Sequence, residues 1–114
     1  MEKMTMKIDI LGTEYTILKR SKEEDQEMKV CDGYCDHTSK TIVVTTKDEE
    51  CTLADFDVYI KKVLRHEIIH AFLFESGLHG NFKHDEWGHD ETMVDWFAVQ
   101  FPKLLVAFKA ADCL

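Results

Sequence analysis

The first part of the chain alternates apolar and polar side chains with the period of two that half-buried β-strands show. The alternation covers residues 6–10 and resumes over 15–18, on either side of a turn at Gly12 and Thr13. Two alternating runs joined by a short, glycine-containing turn predict a β-hairpin.

A second hairpin is predicted from residue 33 onward. Residues 33–37 lead into a turn at Thr38 and Ser39, which is followed by the β-branched run 41–46. Between the two hairpins, residues 21–29 are mostly charged and lack an apolar period, which indicates a solvated loop or a short exposed helix. The pattern therefore predicts a small, mainly antiparallel sheet in the N-terminal half of the chain.

The apolar period then changes to that of a helix. Thr52 can cap a long helix that runs to Glu75 and is stopped by Gly77. Residues 68–74 of this helix are apolar on nearly every side apart from His70. A helix of this kind is expected to lie inside the protein, so the histidines within it are expected to be surrounded by core.

One or two further helices follow a polar connection over residues 79–89. Asp90 can cap a helix from Glu91 to about Gln100, and Pro102 is expected to open or kink a final helix that reaches about Ala110. A sheet followed by helices, without a repeat or a linker, predicts a single α+β domain over residues 1–114.

Composition and charge narrow the classes of ligand. The chain has 114 residues, 45% of them hydrophobic, which is enough for one modest core. Its 14 basic and 22 acidic residues give a net charge of −8, which opposes binding to nucleic acid or anionic lipid. No apolar run approaches the length of a membrane span, and the first residues lack the layout of a secretory signal, so a cytoplasmic protein is expected.

The four cysteines are expected to be reduced thiols, because they show no CxxC spacing and accompany no export signal. Cys31, Cys35 and His37 are possible ligands of a second zinc site. No fourth ligand stands at a finger-like spacing from them, which disfavours that site.

The strongest chemical signal is His66-Glu67-Ile68-Ile69-His70, the short zinc motif HExxH. Two imidazoles four residues apart on a helix face the same side and can chelate one ion. Glu67 projects beside that ion without binding it and can take a proton from a metal-activated water. The alternative is that both histidines are satisfied by local hydrogen bonds and that Glu67 is a surface acid.

A catalytic zinc site needs a third protein ligand, which is a nearby histidine, a later histidine or a later glutamate. Leu73 and Ser76 stand where the extended HExxHxxGxxH motif requires glycine and histidine, so that motif is excluded. Glu91 begins the next predicted helix, and Asp95 lies one turn later on the same face.

With this ExxxD segment the chain resembles the gluzincins, zinc peptidases whose third ligand is a glutamate on a second helix. Residues 30 to 105 look like the minimal gluzincins and related small phage or prophage proteins. The resemblance implies one zinc ion held by His66, His70 and Glu91, with Asp95 accepting a hydrogen bond from a ligand imidazole, that of His66. It also implies that Glu67 is the general base in the hydrolysis of a peptide or protein substrate.

Several alternatives stay open. His79, His84 and His89 are fallback third ligands, as in SprT-like zincins. The chain is alternatively a catalytically silent or latent zinc-binding regulatory or scaffold module, in which Cys113 or a loop histidine takes the open coordination position. A metal-free interaction domain is the third reading. Any of the loop histidines, Tyr34 or His37 is a candidate donor to the substrate oxyanion, and residues 33–46 are candidates for binding an extended peptide.

Overall fold

The structure, a computed structural model, describes residues 5–77 and 91–114. Within the second range it leaves the side chains of five residues undescribed: Glu91, Thr92, Val94, Asp95 and Ala98. The elements are β1 (Met6–Ile10), β2 (Thr13–Arg20), a 3₁₀ helix (Gln26–Lys29), β3 (Gly33–Asp36), β4 (Thr41–Thr45), α1 (Phe56–Glu75) and α2 (Glu91–Ala110). The predicted α+β class is confirmed.

Both predicted hairpins are present. β1 pairs antiparallel with β2, and β3 pairs antiparallel with β4. The turn of the first hairpin lies at Leu11 and Gly12, one residue before the predicted position, and both residues have a positive φ. This conformation matches the twist of a tight hairpin and suits glycine at the second turn position.

The sheet is mixed, however, because β2 and β4 pair in parallel and join the two hairpins in the order β1-β2-β4-β3. The expectation of a mainly antiparallel sheet therefore holds for two of the three strand pairs and misses the central one. β1 and β3 are the edge strands. The edge strand β3 lies beside α1.

One face of the sheet packs against the helices. The core joins residues of the sheet and of both helices: Ile8, Ile10, Tyr15, Ile17, Ile42 and Val44 from the sheet, Ile60, Val63, Leu64, Ile68, Ala71 and Phe72 from α1, and Leu104, Ala107, Ala111 and Cys113 from α2 and its end. Val43 and Met28 are buried too but lie outside this cluster. The segment expected to be fully exposed therefore buries Met28.

Helix α1 begins later than predicted. Asp55, not Thr52, is the N-cap, and its carboxylate accepts a hydrogen bond from the backbone N–H of Val58 at 3.1 Å. The predicted end is confirmed, since Ser76 is the C-cap and Gly77 follows with a φ of 80°. Glycine adopts this left-handed conformation without the steric cost of a side chain.

Of the one or two helices expected here, the structure has one: α2 runs through Pro102, so Pro102 does not open a separate helix, and the expected end at Ala110 is confirmed. Proline costs a helix interior about 3 kcal/mol because it removes one backbone hydrogen bond. Leu104 and Ala107, which follow Pro102 in the helix, are buried in the core, and their burial offsets this cost. In the described part of the chain, no helix is long and apolar enough to cross a membrane.

Candidate metal centre and general base

The two histidines of the HExxH motif lie one turn apart on α1 and point toward the same place. The Nε2 atoms of His66 and His70 are 3.1 Å apart. The rings meet edge to face, with centroids 4.8 Å apart and an interplanar angle of 72°. The two imidazoles therefore face the same side of α1, as the four-residue spacing of the motif predicts for a helix.

Convergence at this distance suits a shared zinc ion. Two imidazole nitrogens bound at about 2.0–2.1 Å to one tetrahedral zinc lie about 3.3–3.4 Å apart. The 3.1 Å separation of the two Nε2 atoms is within a few tenths of an ångström of that value. In the absence of an ion the same distance allows one Nε2–H to donate a hydrogen bond to the other imidazole.

The histidines are less buried than the apolar helix predicted. His66 is exposed and His70 is half-buried, whereas Ile68 and Ala71 on the opposite side of α1 are completely buried. Only one face of α1 packs into the core. The expectation that core surrounds both histidines is therefore wrong, and His66 is accessible to a solvent-borne ion or substrate.

Glu67, which lies between His66 and Ile68 on α1, has a buried side chain. Its side chain is 7% exposed, and burial raises the pKa of its carboxyl group to about 7. No hydrogen bond or ion pair joins this carboxylate to any side chain or backbone group within residues 5–77 and 91–114. A buried carboxyl group without a compensating partner holds its proton more tightly than a solvated one.

The predicted third ligand falls outside what the structure describes. Glu91 and Asp95 lie in the first turns of α2, as expected from the sequence, but their side chains are outside the described residues. The fallback ligands His79, His84 and His89 also lie outside them. Among the side chains that are described, no group of three or more His, Cys, Asp or Glu residues could hold an ion.

The edge strand β3 lies directly against the turn of α1 that carries Glu67. A Cβ atom placed on Gly33 would come within 2.8 Å of Val63 Cγ1 and within 3.3 Å of Glu67 Cγ. Just before β3, Asp32 accepts a hydrogen bond from the hydroxyl of Tyr59 on α1. Neither contact is predictable from the sequence, in which the glycine at the start of a predicted strand is the one related feature.

A histidine after β3 lies along the same face of α1. The ring of His37 stacks on Phe74 with centroids 4.2 Å apart and an interplanar angle of 25°. Phe74 is one helical turn beyond His70, and side chains four apart on a helix lie on the same face. His37, which is exposed, therefore contacts α1 one helical turn beyond His70.

Tyr34, the other sheet residue considered as an oxyanion donor, is engaged elsewhere. Its hydroxyl donates a 2.6 Å hydrogen bond to Asp25 and accepts one from Arg20 at 3.4 Å. Burial and the bond to Asp25 raise the pKa of the Tyr34 hydroxyl to about 12. This hydroxyl has one proton, and that proton is already donated.

All four cysteines are free thiols. Burial raises the pKa of Cys35 to about 12 and that of Cys113 to about 11, so both thiols are unreactive near neutral pH. Cys113 is completely buried, and its thiol donates to the carbonyl of Phe108 at 3.6 Å. In this arrangement Cys113 is a core residue rather than the latent-state ligand that the sequence suggested.

Comparison with known proteins identifies no relative. No family model matches the chain, and neither the curated proteins nor the solved structures contain a significant match.

Proposed function

We propose that this chain is a zinc-dependent metallopeptidase of the gluzincin type, acting in the cytoplasm on a peptide or protein substrate. The observation that supports this proposal most directly is the convergence of the His66 and His70 Nε2 atoms, which lie 3.1 Å apart. The next residue after His66, Glu67, has a buried side chain. A surface pair of histidines would not need a buried acid next to it.

In this proposal one zinc ion is held by His66, His70 and Glu91. Three protein ligands leave a fourth position open, which is typical of catalytic rather than structural zinc sites. By the resemblance to the gluzincins, Asp95 would accept a hydrogen bond from the Nδ1–H of His66 and so would fix the tautomer that leaves Nε2 unprotonated. When bound, zinc would supply Lewis-acid polarisation of the peptide carbonyl and would lower the pKa of water.

Glu67 moves the proton. Its carboxylate accepts a proton from the water that attacks the carbonyl carbon and donates it to the nitrogen of the departing amine. In the metal-free protein, burial raises the pKa of this carboxyl group, and a raised pKa makes the carboxylate a stronger base toward the attacking water.

The substrate in this proposal is an extended peptide that pairs with β3. This strand is at the edge of the sheet and lies against the turn of α1 that contains Glu67. An edge strand offers unpaired main-chain N–H and C=O groups, which bind peptides with little dependence on sequence. We expect the isolated domain to cleave unfolded chains with broad specificity.

The proposal is tested by metal content and hydrolysis of a mixed denatured-protein substrate for wild type, Glu67→Gln and Glu91→Ala. We expect one zinc per chain and cleavage for wild type, zinc without cleavage for Glu67→Gln, and loss of zinc for Glu91→Ala. Glu14→Gln is the matched control, since Glu14 is exposed and contacts Lys7 in the first hairpin.

The other outcomes discriminate between the remaining functions. Zinc without cleavage in every variant would identify a silent or latent zinc module. Zinc retained in Glu91→Ala but lost when a histidine of the 79–89 connection is replaced would identify a SprT-like site. Wild type that binds no zinc would leave only the interaction-domain reading.

A further inference from the structure

Gly33 is the residue at which β3 comes closest to α1. A Cβ atom at this position would lie 2.8 Å from Val63 Cγ1, 3.2 Å from the carbonyl oxygen of Val43 and 3.3 Å from Glu67 Cγ. The first distance is shorter than real Cβ contacts, and the other two are tighter than most. A side chain at residue 33 therefore requires its surroundings to move.

The reason for glycine here is space rather than backbone conformation. Gly12 and Gly77 have φ values of 92° and 80°, and neither would bring a Cβ within 4 Å of another atom. Gly33 has no such positive φ, so an alanine could adopt its backbone conformation. What an alanine could not do is fit between the strand and the helix.

The neighbours of Gly33 have little freedom to yield. Val63 is 8% exposed and belongs to the core, and a β-branched side chain in a helix has one strongly preferred rotamer. The Val43 contact is a backbone atom of the adjacent strand. Of the three groups, the Glu67 side chain is the one that can rotate away.

The ends of β3 are held to α1 on both sides of Gly33. Before the strand, the hydroxyl of Tyr59 donates to Asp32, and after it His37 stacks on Phe74. These contacts oppose a swing of the whole strand away from the helix. A Cβ at residue 33 would therefore act on the turn of α1 that carries Glu67.

We infer that Gly33 is a positioning residue for Glu67. By having no side chain, it lets β3 lie against the turn of α1 that carries Glu67, and this close contact fixes the position of the Glu67 side chain, which follows His66 directly on the helix. The catalytic consequence rests on the proposed peptidase function, whereas the position of the carboxyl group does not.

The first test compares crystal structures of metal-free wild type, Gly33→Ala and Gly33→Ala/Val63→Ala. Val63→Ala removes the 2.8 Å obstacle, so the double variant protects against a failure of the single variant to fold. We expect the Glu67 carboxyl group to be displaced in both variants, because the 3.3 Å contact with its Cγ remains. An unmoved carboxyl group in a folded variant would overturn the inference.

The second test separates positioning from stability by kinetics. A misplacement of about 1 Å in a catalytic group can cost about 100-fold in rate. The 3.3 Å contact requires Glu67 Cγ to yield by a few tenths of an ångström, so we expect kcat to fall by about threefold to 10-fold in the double variant, with KM within about twofold and zinc retained. Val63→Ala alone is the reference for the lost core methyl groups, and its kcat is expected to stay close to that of wild type.

Gly12→Ala is the matched control for replacing a glycine. It strains a left-handed turn but meets no atom within 4 Å, so it is expected to lower the melting temperature without changing kcat. Equal kcat losses in Gly12→Ala and the double variant would overturn the positioning role. A displaced carboxyl group in a protein whose wild type cleaves nothing would refute the peptidase and leave the structural inference intact.

Discussion

The hydroxyl of Tyr15 in β2 donates a 2.7 Å hydrogen bond to the carboxylate of Glu75, the last residue of α1. The same carboxylate accepts bonds from Thr13 Oγ1 at 3.0 Å and from Lys40 Nζ at 2.8 Å. Three side chains of the sheet region thus hold the C-terminal end of the helix that contains the histidine pair. The orientation of that helix on the sheet depends on this polar cluster as well as on the apolar core.

We predict that Tyr15→Phe lowers the free energy of unfolding by about 1.5–3 kcal/mol, the usual contribution of a hydrogen bond to a charged group. The phenyl ring still fills the completely buried Tyr15 site, so the loss reflects the hydroxyl alone. Urea unfolding of Tyr15→Phe, Glu75→Ala and the double variant measures the coupling. Strictly additive effects of the two substitutions would show that the bond is not made.

The pH dependence of the metal-free protein tests the burial of Glu67. Its pKa is raised from 4.5 to about 7, so between these values the folded protein binds more protons than the unfolded chain. Stability contributed by this group is therefore lost as the pH rises from about 4.5 to about 7. A buried ionised carboxylate is the unfavourable state.

Glu67→Gln removes this penalty. We predict that the metal-free variant is more stable than wild type at pH 8, by up to about 3 kcal/mol, and that the difference is much smaller at pH 5. Urea unfolding in the presence of a chelator measures both values. Glu14→Gln, which removes an exposed carboxylate, should show no comparable rise, and a gain for Glu67→Gln that is equal at both pH values would contradict the raised pKa.

The pattern of apolar and polar residues predicts the strands and helices well. It does not predict which strands pair when they are far apart in the sequence. The hairpins and the glycine that ends α1 depend on neighbours in sequence, so alternation and Gly77 were sufficient. The parallel pairing of β2 with β4 brings together residues such as Ile17 and Ile42, and nothing in either strand encodes that choice. Met28 lies in a segment of mostly charged residues, and its sequence neighbours give no indication that its side chain is buried.

At the candidate site, too, features set by neighbours in the sequence are predictable, whereas contacts between distant residues are not. The convergence of His66 and His70 follows from helix geometry, which the motif itself specifies. The burial of Glu67 depends on β3 lying beside α1, and a glycine at residue 33 does not reveal whether it serves a turn or a close contact. The stacking of His37 on Phe74 joins residues far apart in sequence and likewise gave no signal.

The start of α1 provides a direct comparison of two capping residues. Thr52 was the predicted cap, whereas the Asp55 carboxylate accepts the bond from the Val58 N–H. We predict that Asp55→Ala lowers the free energy of unfolding by about 1 kcal/mol and that Thr52→Ala has almost no effect. Thermal unfolding followed by circular dichroism measures both, and a larger loss for Thr52→Ala would contradict the observed helix start.

The last prediction concerns which side chain contacts the substrate oxyanion. His37 is exposed, follows the edge strand and stacks on Phe74 one turn beyond His70. Tyr34 donates its only proton to Asp25. If the proposed peptidase uses a donor from the sheet, His37 is therefore available and Tyr34 is not.

We predict that His37→Ala lowers kcat by about 100-fold or more while zinc stays bound, since removal of one oxyanion donor has effects of this size. Tyr34→Phe is the matched control and should lower stability while leaving kcat unchanged. Because His37→Ala also removes a stacking partner of Phe74, His37→Phe keeps the stack and removes the donor. Loss of activity in both His37 variants identifies the donor role, whereas full activity in His37→Phe would show that only the stacked ring is needed.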